Sequence, residues 1–563
     1  MSSENNYWKR TSQISRRRLL GGAGVAGLGA AGLALVGCGD DDKGSGTSKT
    51  PGTTAASGTP AGTPVPTNRE GLWRSHYTVA MPTLNSWDQL NLSVWGMSIP
   101  CYDHLFAVNQ LVGETELFLA ASLEIQDPTS FVVKIKPAVW QNKAPVNGRA
   151  VTAEDLQKTF MGIRKNPKMT NKDAWWDNTL EKVDVIDDKT IKVTLTKPDA
   201  WTFSTNKFAS SWTSSILPRE HATDPSLMNS DIIGSGMYEY VSFEAGTRLK
   251  AKRSETYRVK GEPNLAGIDA RLIQEPAAAL AAFSAKELDV YGAQNKLEKD
   301  QLVQKHGADV RIAEALSNAV WTLVTRGDGQ WADPRVQQAF SMALDRKEMI
   351  ELIHFGAGKV SGIVPPGHGA WALTEKEVAD TYGKFDPAAA RKLLAATTFD
   401  MSKEYGLKFY TGVANYTSWC EILQSQLQKN LGVKIKLIGE DFGTWINKSL
   451  LASNYELLSY PSIAYDSPIG FLGGMDALGV PNWTAFKNDE LTATLRKMES
   501  NYDTKSRQQQ ARDMQKRAWE LGNPYIPTFV GTNYTAYQKW VKGTMAGTGS
   551  YQFLVGSTWI EKH

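Results

Sequence analysis

The sequence predicts an α/β fold, because strand patterns and helix patterns follow one another along the chain. Apolar residues alternate with polar ones over 131–135 and 191–195, as in half-buried strands. From 418 to 437 a helical pattern breaks at Gly432 and gives way to another alternating segment, which is the helix–turn–strand unit of an α/β layer. With 41% hydrophobic and 21% charged residues, the composition is that of an ordinary globular protein.

Several helix starts are marked by capping residues, which offer a side-chain oxygen to the free N–H groups of the first turn. A proline at the first helical position strengthens the signal, because its fixed φ suits a helix and its missing N–H needs no partner there. The predicted starts are Thr152 with Asp155, Asp333 before Pro334, Asp345 with Glu348, Asp386 before Pro387, and Ser418 with Glu421.

Residues 1–37 predict an export signal. Arg16, Arg17 and Arg18 precede a Gly-, Ala- and Leu-rich segment that ends at Gly37 and is about as short as a membrane-spanning helix can be. The arginine pair suits twin-arginine export. The Leu-Val-Gly-Cys sequence resembles the bacterial lipobox, which implies that Cys38 is lipidated and becomes the mature N-terminus. The alternative is an ordinary signal peptide with a chance cysteine.

Residues 38–68 predict a disordered tether behind the lipidated cysteine, because Gly, Ser, Thr, Pro and Ala make up nearly all of 43–67. Such a segment buries too little apolar surface to offset its chain entropy. As a flexible coil of ~30 residues, it has a root-mean-square reach of ~30 Å. The folded body therefore begins near Arg69, and it is long enough for two or three domains of about 150 residues each.

Charge and cysteine content narrow the partners and the redox chemistry. The formal net charge of +3 comes from the signal, whose five basic residues and one glutamate contribute +4, so the mature chain carries about −1. This balance gives no indication of a nucleic-acid partner. After Cys38 only Cys101 and Cys420 remain, and they either form one long-range disulfide or stay as two buried thiols. Their spacing carries no disulfide signal, so buried thiols are favoured.

The sequence contains no recognisable catalytic motif, so we expect a protein that is not an enzyme and that needs no metal or cofactor. The seven histidines are scattered without metal-ligand spacing, and no His-Glu-x-x-His occurs. Residues 22–27 match a dinucleotide-binding fingerprint. They lie inside the export signal and follow no strand, so the match is a false positive.

The folded body carries a series of motifs in a characteristic order. The most specific is DPRVQQAFSMALDRKEMI; the others include PCYDHLF, FVVKIKPAVW, NGRAVTAEDLQKTF, GSGMYEYVSFEAGTRLKAKRSETY, FDPAAARKLLA and ILQSQLQKNLGVKIKL. Together they resemble the extracellular solute-binding proteins of dipeptide and oligopeptide ABC transporters, family 5, in their lipoprotein form. The resemblance covers roughly residues 75–535.

This resemblance implies a two-lobe, periplasmic-binding-protein-like fold that encloses ligand between hinge-linked lobes. In chain order, the first lobe is large and discontinuous, with residues 69–315 and 525–563, and the second lobe is 316–524. The hinges are expected near 319–321 and 525–527. Closure is a hinge motion, and a ligand shifts the population only if it favours the closed state.

The resemblance also implies candidate ligand-binding residues. In peptide-binding relatives an aspartate pairs with the α-ammonium of the ligand, and Asp466 is the nearest match, although it could instead be a turn residue before the next proline. Phe442 and Trp445 lie where relatives place an aromatic ring over the ligand, and Tyr460 and Tyr465 complete the predicted set. Most of the tryptophans are expected in the core.

The main chain offers a further way to hold an extended ligand. If 458–463 is a strand edge, a peptide can add to it by backbone hydrogen bonds, and the alternative is a plain core strand. We expect a monomeric, lipid-anchored receptor of an ABC importer at the outer face of the bacterial cytoplasmic membrane, with peptides as ligands and permease and ATPase subunits as partners. The alternatives are an oligosaccharide or another polar solute such as an opine or chelated metal, a secreted hydrolase, and a purely structural surface lipoprotein.

Overall fold

A computed structural model of the chain describes residues 69–80, 83–87, 99–109, 114–166, 169, 175–204, 207–209, 214–229, 231–412, 414–462, 467–476, 482–543 and 558–561. These residues belong to one compact unit that spans 68–563. The predicted export signal 1–37, Cys38 and the predicted tether 38–68 lie outside the described residues. No helix among the described ranges combines the length and apolar character needed to cross a bilayer.

The strands, in chain order, are β1 (Leu72–Tyr77), β2 (Phe106–Asn109), β3 (Glu114–Leu117), β4 (Ala120–Asp127), β5 (Ser130–Ile135), β6 (Leu180–Asp187), β7 (Thr190–Leu195), β8 (Tyr238–Glu244), β9 (Arg248–Arg253), β10 (Gly267–Leu272), β11 (Val290–Ala293), β12 (Val310–Leu316), β13 (Trp321–Thr325), β14 (Gly358–Val360), β15 (Glu404–Tyr410), β16 (Lys434–Glu440), β17 (Leu457–Pro461), β18 (Tyr525–Gln538), β19 (Val541–Lys542) and β20 (Trp559–Ile560).

The α-helices, in chain order, are α1 (Ala153–Lys165), α2 (Trp175–Asn178), α3 (Arg219–Thr223), α4 (Pro276–Ser284), α5 (Lys296–His306), α6 (Pro334–Met342), α7 (Arg346–His354), α8 (Glu375–Asp380), α9 (Pro387–Ala395), α10 (Ala414–Leu431), α11 (Phe442–Thr444), α12 (Pro468–Leu472), α13 (Asp489–Glu499) and α14 (Thr504–Glu520). Short 3₁₀ helices lie at Ile99–Cys101, Pro225–Asn229, Gly307–Asp309, Gly329–Ala332, Pro366–Trp371 and Gly473–Met475, and a π-helix at Trp445–Leu450.

Two four-stranded sheets occupy the first half of the described chain. One has the order β1-β10-β9-β8, with β1 parallel to β10, and the other is the antiparallel sheet β4-β5-β7-β6. Helix α1 packs along β6, where the side chains of Gln157 and Arg164 donate to the carbonyls of Val183 and Leu180. These bonds occupy acceptors of an edge strand, which protects that edge from pairing with another chain.

Strand β18 joins two groups of strands into one larger sheet. Its second half pairs with β11 and β12, and its first half pairs with β13 and β14. Next to β13 the sheet continues through β17, β15 and β16. The change of partner on β18 falls between Phe529 and Thr532, where the Ser317 N–H donates to the Gly531 carbonyl at 2.8 Å. We call this place the crossover.

A buried cluster of two tryptophans and an arginine fixes the segment that follows β7 onto α14. The Arg507 guanidinium lies 4.6 Å from the Trp201 ring centroid and 5.7 Å from that of Trp371, and the two rings are 5.2 Å apart. Arg507 Nη1 donates to the Ala200 carbonyl at 2.9 Å, and the Ala200 N–H donates to the Glu499 carbonyl at 2.6 Å. We call Trp201, Arg507 and Trp371 the Trp–Arg cluster. It connects the predicted first lobe with the predicted second lobe.

Most local predictions agree with this structure. Residues 131–135 and 191–195 lie in β5 and β7, and the capping box of Thr152 and Asp155 opens α1. Asp333, Asp345 and Asp386 cap α6, α7 and α9 through their carboxylates. Gly432, with φ of 78°, follows the end of α10 as predicted.

The predicted helix start at Ser418 is wrong, because α10 already begins at Ala414. The added turn places Tyr416 against Trp321, with ring centroids 4.9 Å apart, and Ser418 stands inside the helix. Aromatic packing from another element therefore overrides the local capping signal.

Both cysteines are buried free thiols, as the sequence favoured. Burial raises the pKa of the Cys101 thiol to about 12 and that of Cys420 likewise to about 12. Neither thiol is therefore a reactive thiolate at neutral pH.

Candidate functional site

Three parallel strands end at one edge of the larger sheet. Strand β15 runs parallel to both β16 and β17, and Tyr410 at its end lies opposite Glu440 at the end of β16. Strand β17 ends at the same edge with Tyr460 and Pro461. In open α/β sheets, ligands bind outside the carboxyl ends of the parallel strands. This edge is therefore the candidate site.

The candidate edge lies beside the crossover. Trp321, the first residue of β13, pairs with Pro461 of β17 on one side and with Phe529 of β18 on the other. Beyond the strand end, the Ser462 N–H donates to the Val320 carbonyl at 2.9 Å. A ligand held at this edge is thus next to the strands that join the two halves of the larger sheet.

A continuous series of aromatic rings crosses this edge, which we call the aromatic row. Its members are Tyr410, Phe442, Trp445, Tyr460 and Trp483. Phe442 stacks on Trp445 with centroids 6.2 Å apart and planes inclined by 26°, and Trp445 stacks on Tyr460 at 6.3 Å and 15°. Tyr410 meets Phe442 edge to face at 5.4 Å, and Trp483 meets Tyr460 at 6.0 Å. Both arrangements are those that aromatic pairs prefer.

The local sequence after β16 accounts for the stacked part of the row. The Asp441 carboxylate caps α11 by accepting from the Thr444 N–H at 3.0 Å. Phe442 and Trp445 are three positions apart on the helical segment that begins there, so their side chains share a face. The chain then continues as a π-helix from Trp445 to Leu450, a geometry that is rare and frequent at functional sites.

Polar side chains below the row fasten the π-helix to the strand ends. Ser449 Oγ donates to the Glu440 carboxylate, at 2.7 Å from one oxygen and 2.9 Å from the other. Lys408 Nζ lies 3.7 Å from Glu440 and donates to the Asn454 carbonyl at 2.6 Å. Because these groups are largely withdrawn from water, their bonds hold the segment that carries Phe442 and Trp445 firmly in place.

The segment around Trp483 has its own support. Tyr455 Oη donates to the Trp483 carbonyl at 3.1 Å, and Arg326 Nη1 donates to the same oxygen at 3.3 Å. Arg326 also forms an ion pair with Asp328 at 2.9 Å. Hydrogen bonding from Arg326 lowers the pKa of the Asp328 carboxyl, so this pair stays charged at neutral pH.

A second aromatic group surrounds Trp321 at the crossover. The Trp321 ring contacts Tyr416, Trp419, His354 and Phe529, with centroid distances between 4.9 and 5.5 Å. Tyr416 also lies 6.4 Å from Tyr410, which connects this group to the aromatic row. Burial lowers the pKa of His354, so a neutral imidazole packs against Trp321.

The structure brings together three of the predicted site residues, Phe442, Trp445 and Tyr460. The other two, Tyr465 and Asp466, fall in 463–466 and lie outside the described residues. Leu457 and Leu458 of β17 pair with β13 on one side and with β15 on the other, so this part of the strand is interior and offers no free edge to a peptide.

Sequence reasoning missed Tyr410 and did not single out Trp321 or Trp483 for the site. The sequence does carry a signal for Tyr410, because this residue ends an alternating strand pattern shortly before Gly412. No sequence signal shows that the rings lie together, since Tyr410, Trp445 and Trp483 come from segments tens of residues apart.

Comparison with known proteins gives consistent matches. Residues 114–475 match the sequence profile of the middle part of the bacterial extracellular solute-binding proteins, family 5. The periplasmic murein peptide-binding protein MppA of Escherichia coli K12 is 23% identical over 430 residues, which are 70% of this chain and 77% of MppA. A putative ABC transporter peptide-binding protein of Brucella ovis is 26% identical over 305 residues, 53% of this chain and 55% of that protein.

The fold also matches solved structures. The periplasmic binding protein AgaA of Agrobacterium tumefaciens R10, in complex with agropinic acid, superposes with a TM-score of 0.70 at 20% identity and covers 88% of this chain and 99% of its own. Structural neighbours of this kind are two-lobed periplasmic binding proteins with mixed helices and sheets, and this chain has the same architecture.

Proposed function

Because the chain belongs to the bacterial extracellular solute-binding proteins of family 5, we propose that it is the exported receptor of an ABC importer that captures peptides and delivers them to a membrane permease. The observation that carries this proposal is the aromatic row at the carboxyl edge of β15, β16 and β17, beside the crossover. The half-exposed Phe442, backed by the buried rings of the row, gives a peptide apolar and stacking surface next to the joint between lobes. Capture and release require no covalent step, so the protein acts as a receptor and not as an enzyme.

The proposed lobes are 69–315 with 525–563, and 316–524. Strand β18 is common to both groups of strands, so bending near the crossover changes the angle between them. Ligand held at the row then meets the opposite lobe on closure. Ligand drives that closure by its differential affinity for the closed state.

Within this site we assign Phe442, Trp445 and Tyr460 to contact with the ligand or to direct support of that contact. Asp466 is proposed to pair with the peptide α-ammonium, and Tyr465 to border the same pocket. A charge pair of this kind is strong when the closed lobes exclude water.

Ligand identity is tested by native mass spectrometry of the purified protein, followed by calorimetry with tripeptides and tetrapeptides. A bound peptide should raise the stability by about 2.7 kcal/mol at a hundredfold excess over its dissociation constant, and small-angle scattering should show a smaller radius of gyration. Agropinic acid and short oligosaccharides serve as the comparison panel. Binding of one of these and of no peptide would reject the peptide assignment.

The charge pair is tested with Asp466→Asn. Removing one partner of an enclosed pair costs about 2–5 kcal/mol of binding free energy, so peptide affinity should fall at least tenfold while the melting temperature stays unchanged. N-acetylation of the peptide should weaken wild-type binding comparably and leave the variant nearly indifferent. Full affinity in Asp466→Asn would return this residue to the role of a turn aspartate.

We propose further that Cys38 carries the lipid anchor and that 38–68 tethers a monomeric body to the outer face of the cytoplasmic membrane. Two acyl chains give stable membrane binding where one gives only a reversible contact. Cys38→Ser should move the protein from the membrane fraction to the soluble fraction of expressing cells. Equal fractionation of the two forms would disprove the anchor.

A further inference from the structure

Phe442 forms the open end of the stacked part of the aromatic row. Trp445 and Tyr460 behind it are 5% and 7% exposed, whereas Phe442 is 53% exposed. The three rings are nearly parallel, so the outer face of Phe442 is where a fourth planar group would continue the stack.

Tyr410 adds a second ring, which contacts Phe442 at a steep angle. Its ring is inclined by 69° to Phe442, and it also contacts Tyr416 at 6.4 Å and 61°. The Tyr410 ring folds back over Gly412, where an added Cβ would come within 1.8 Å of the Tyr410 hydroxyl. Only glycine at 412 leaves room for this position of the ring. Phe442 and Tyr410 thus form an aromatic corner.

The corner is fixed before any ligand arrives. Asp441 caps the helix that begins at Phe442, and Ser449, Glu440 and Lys408 bind the following turn to the strand ends. A preformed corner lowers the ordering cost of binding, which favours affinity.

Other exposed phenylalanines lack this arrangement. Phe355 and Phe385 are 49% and 45% exposed, close to the value for Phe442. Isolated exposed apolar residues are common on protein surfaces and carry no functional meaning. Among the described residues, neither Phe355 nor Phe385 contacts another aromatic ring, and neither ends a stack at the carboxyl edge of parallel strands.

We propose that the corner of Phe442 and Tyr410 is a subsite for an aromatic side chain of the ligand, which stacks face to face on Phe442 and meets Tyr410 at its edge. The inference rests on the proposed peptide-binding function and names its ligand class: peptides that contain phenylalanine, tyrosine or tryptophan. The corner selects for the π-face of the side chain and not merely for its apolar volume.

The experiment separates the π-face from apolar volume. Calorimetry measures the affinity of the full mature protein for an all-alanine tetrapeptide and for four derivatives that carry one phenylalanine at successive positions. Each derivative is matched by a peptide with cyclohexylalanine at the same position, which keeps the six-membered ring and removes its π-system. At one position the phenylalanine peptide should bind about two- to tenfold tighter than its cyclohexyl partner.

Variants assign this preference to the corner. Phe442→Leu keeps an apolar side chain without a π-face, so the ratio of the two affinities should fall to about one. Phe385→Ala, which removes a comparably exposed ring outside the site, should leave the ratio at its wild-type value. Equal melting temperatures of the three proteins show that the change is local.

Each outcome bears on a different statement. Peptides that bind with a ratio of one at every position in the wild type would overturn the aromatic subsite while keeping the peptide receptor. A preference that persists in Phe442→Leu would also overturn it. If no peptide binds at all, including the all-alanine reference, the proposed function fails and the inference fails with it.

Discussion

The Trp–Arg cluster and the aromatic row are both groups of planar side chains in contact, and they differ in exposure. In the Trp–Arg cluster, Trp201, Arg507 and Trp371 are 4%, 9% and 1% exposed. Arg507 fills the space beside both rings and bonds to the Ala200 carbonyl at 2.9 Å. The row instead ends on Phe442, of which about half is exposed.

This difference separates rings that hold the molecule together from the one exposed ring, Phe442, that is available to a ligand. A buried indole gives several kcal/mol of stability through burial and close packing. An exposed ring at the end of a stack gives the fold little, and its free face is the part that a ligand can use. Both groups have a high aromatic content, so composition alone does not distinguish them.

The largest expected effect comes from Trp201→Ala. Loss of a buried tryptophan should lower the free energy of unfolding by about 3–5 kcal/mol, measured by chemical denaturation. Phe442→Ala is the matched comparison in the row and should cost about 1 kcal/mol or less. Similar losses in the two variants would contradict the distinction between the two groups.

Arg507→Met tests whether the cation contributes to stability in the Trp–Arg cluster. Methionine keeps part of the apolar contact but removes the cation–π interaction and the charged hydrogen bond to the Ala200 carbonyl, so a loss of about 2–3 kcal/mol of unfolding free energy is expected. Arg507→Lys keeps the charge without the planar group, so its free energy of unfolding should lie between those of the wild type and Arg507→Met. An unchanged free energy of unfolding in Arg507→Met would mean that the tryptophans alone maintain the contact.

Ser449→Ala tests the support of the row. It removes the hydroxyl that donates to the Glu440 carboxylate and should cost about 1–2 kcal/mol of unfolding free energy. Ligand affinity should fall as well, because Phe442 loses part of its fixed position. Asn447→Ala, on the same turn but bonded among the described residues only to the Gly443 carbonyl, is the control. Unchanged affinity in Ser449→Ala would show that the row needs no such support.

The smallest expected effect is a pH dependence at the crossover. Burial lowers the pKa of His354 below its unfolded value of about 6.5. The unfolded chain then binds a proton more readily, so stability contributed by the neutral ring is present above that pH and is lost as the pH falls toward the lowered folded pKa. Between pH 7.5 and 5, the melting temperature of His354→Gln should fall less than that of the wild type. Identical losses would place the pH sensitivity elsewhere.

Local signals were sufficient for much of the fold. The capping aspartates at 333, 345 and 386 and the alternation in β5 and β7 act over three to six residues, and the structure confirms each of them. The helix start at Ser418 failed for a tertiary reason. Packing of Tyr416 on Trp321 adds a turn that no local pattern announces.

The candidate site shows the same division. The family resemblance pointed to Phe442 and Trp445, and the structure brings their rings together because three helical positions place two side chains on one face. Tyr460 also belonged to the set that the resemblance implied, whereas Tyr410 and Trp483 join these rings only through the register of β15, β16 and β17 and the loop that holds Trp483.

By itself, the sequence determined the α/β class, the family resemblance and four of the five helix starts predicted from capping residues, because periodicity, capping and motif order are properties of neighbouring residues. Tertiary structure alone decided which of the many aromatic residues are buried. Arg507 lies over Trp201 and Trp371, which are both buried, whereas about half of Phe442 stays exposed. Exposure depends on what other segments bring to the same place, and strand register and lobe contacts fix that over hundreds of residues.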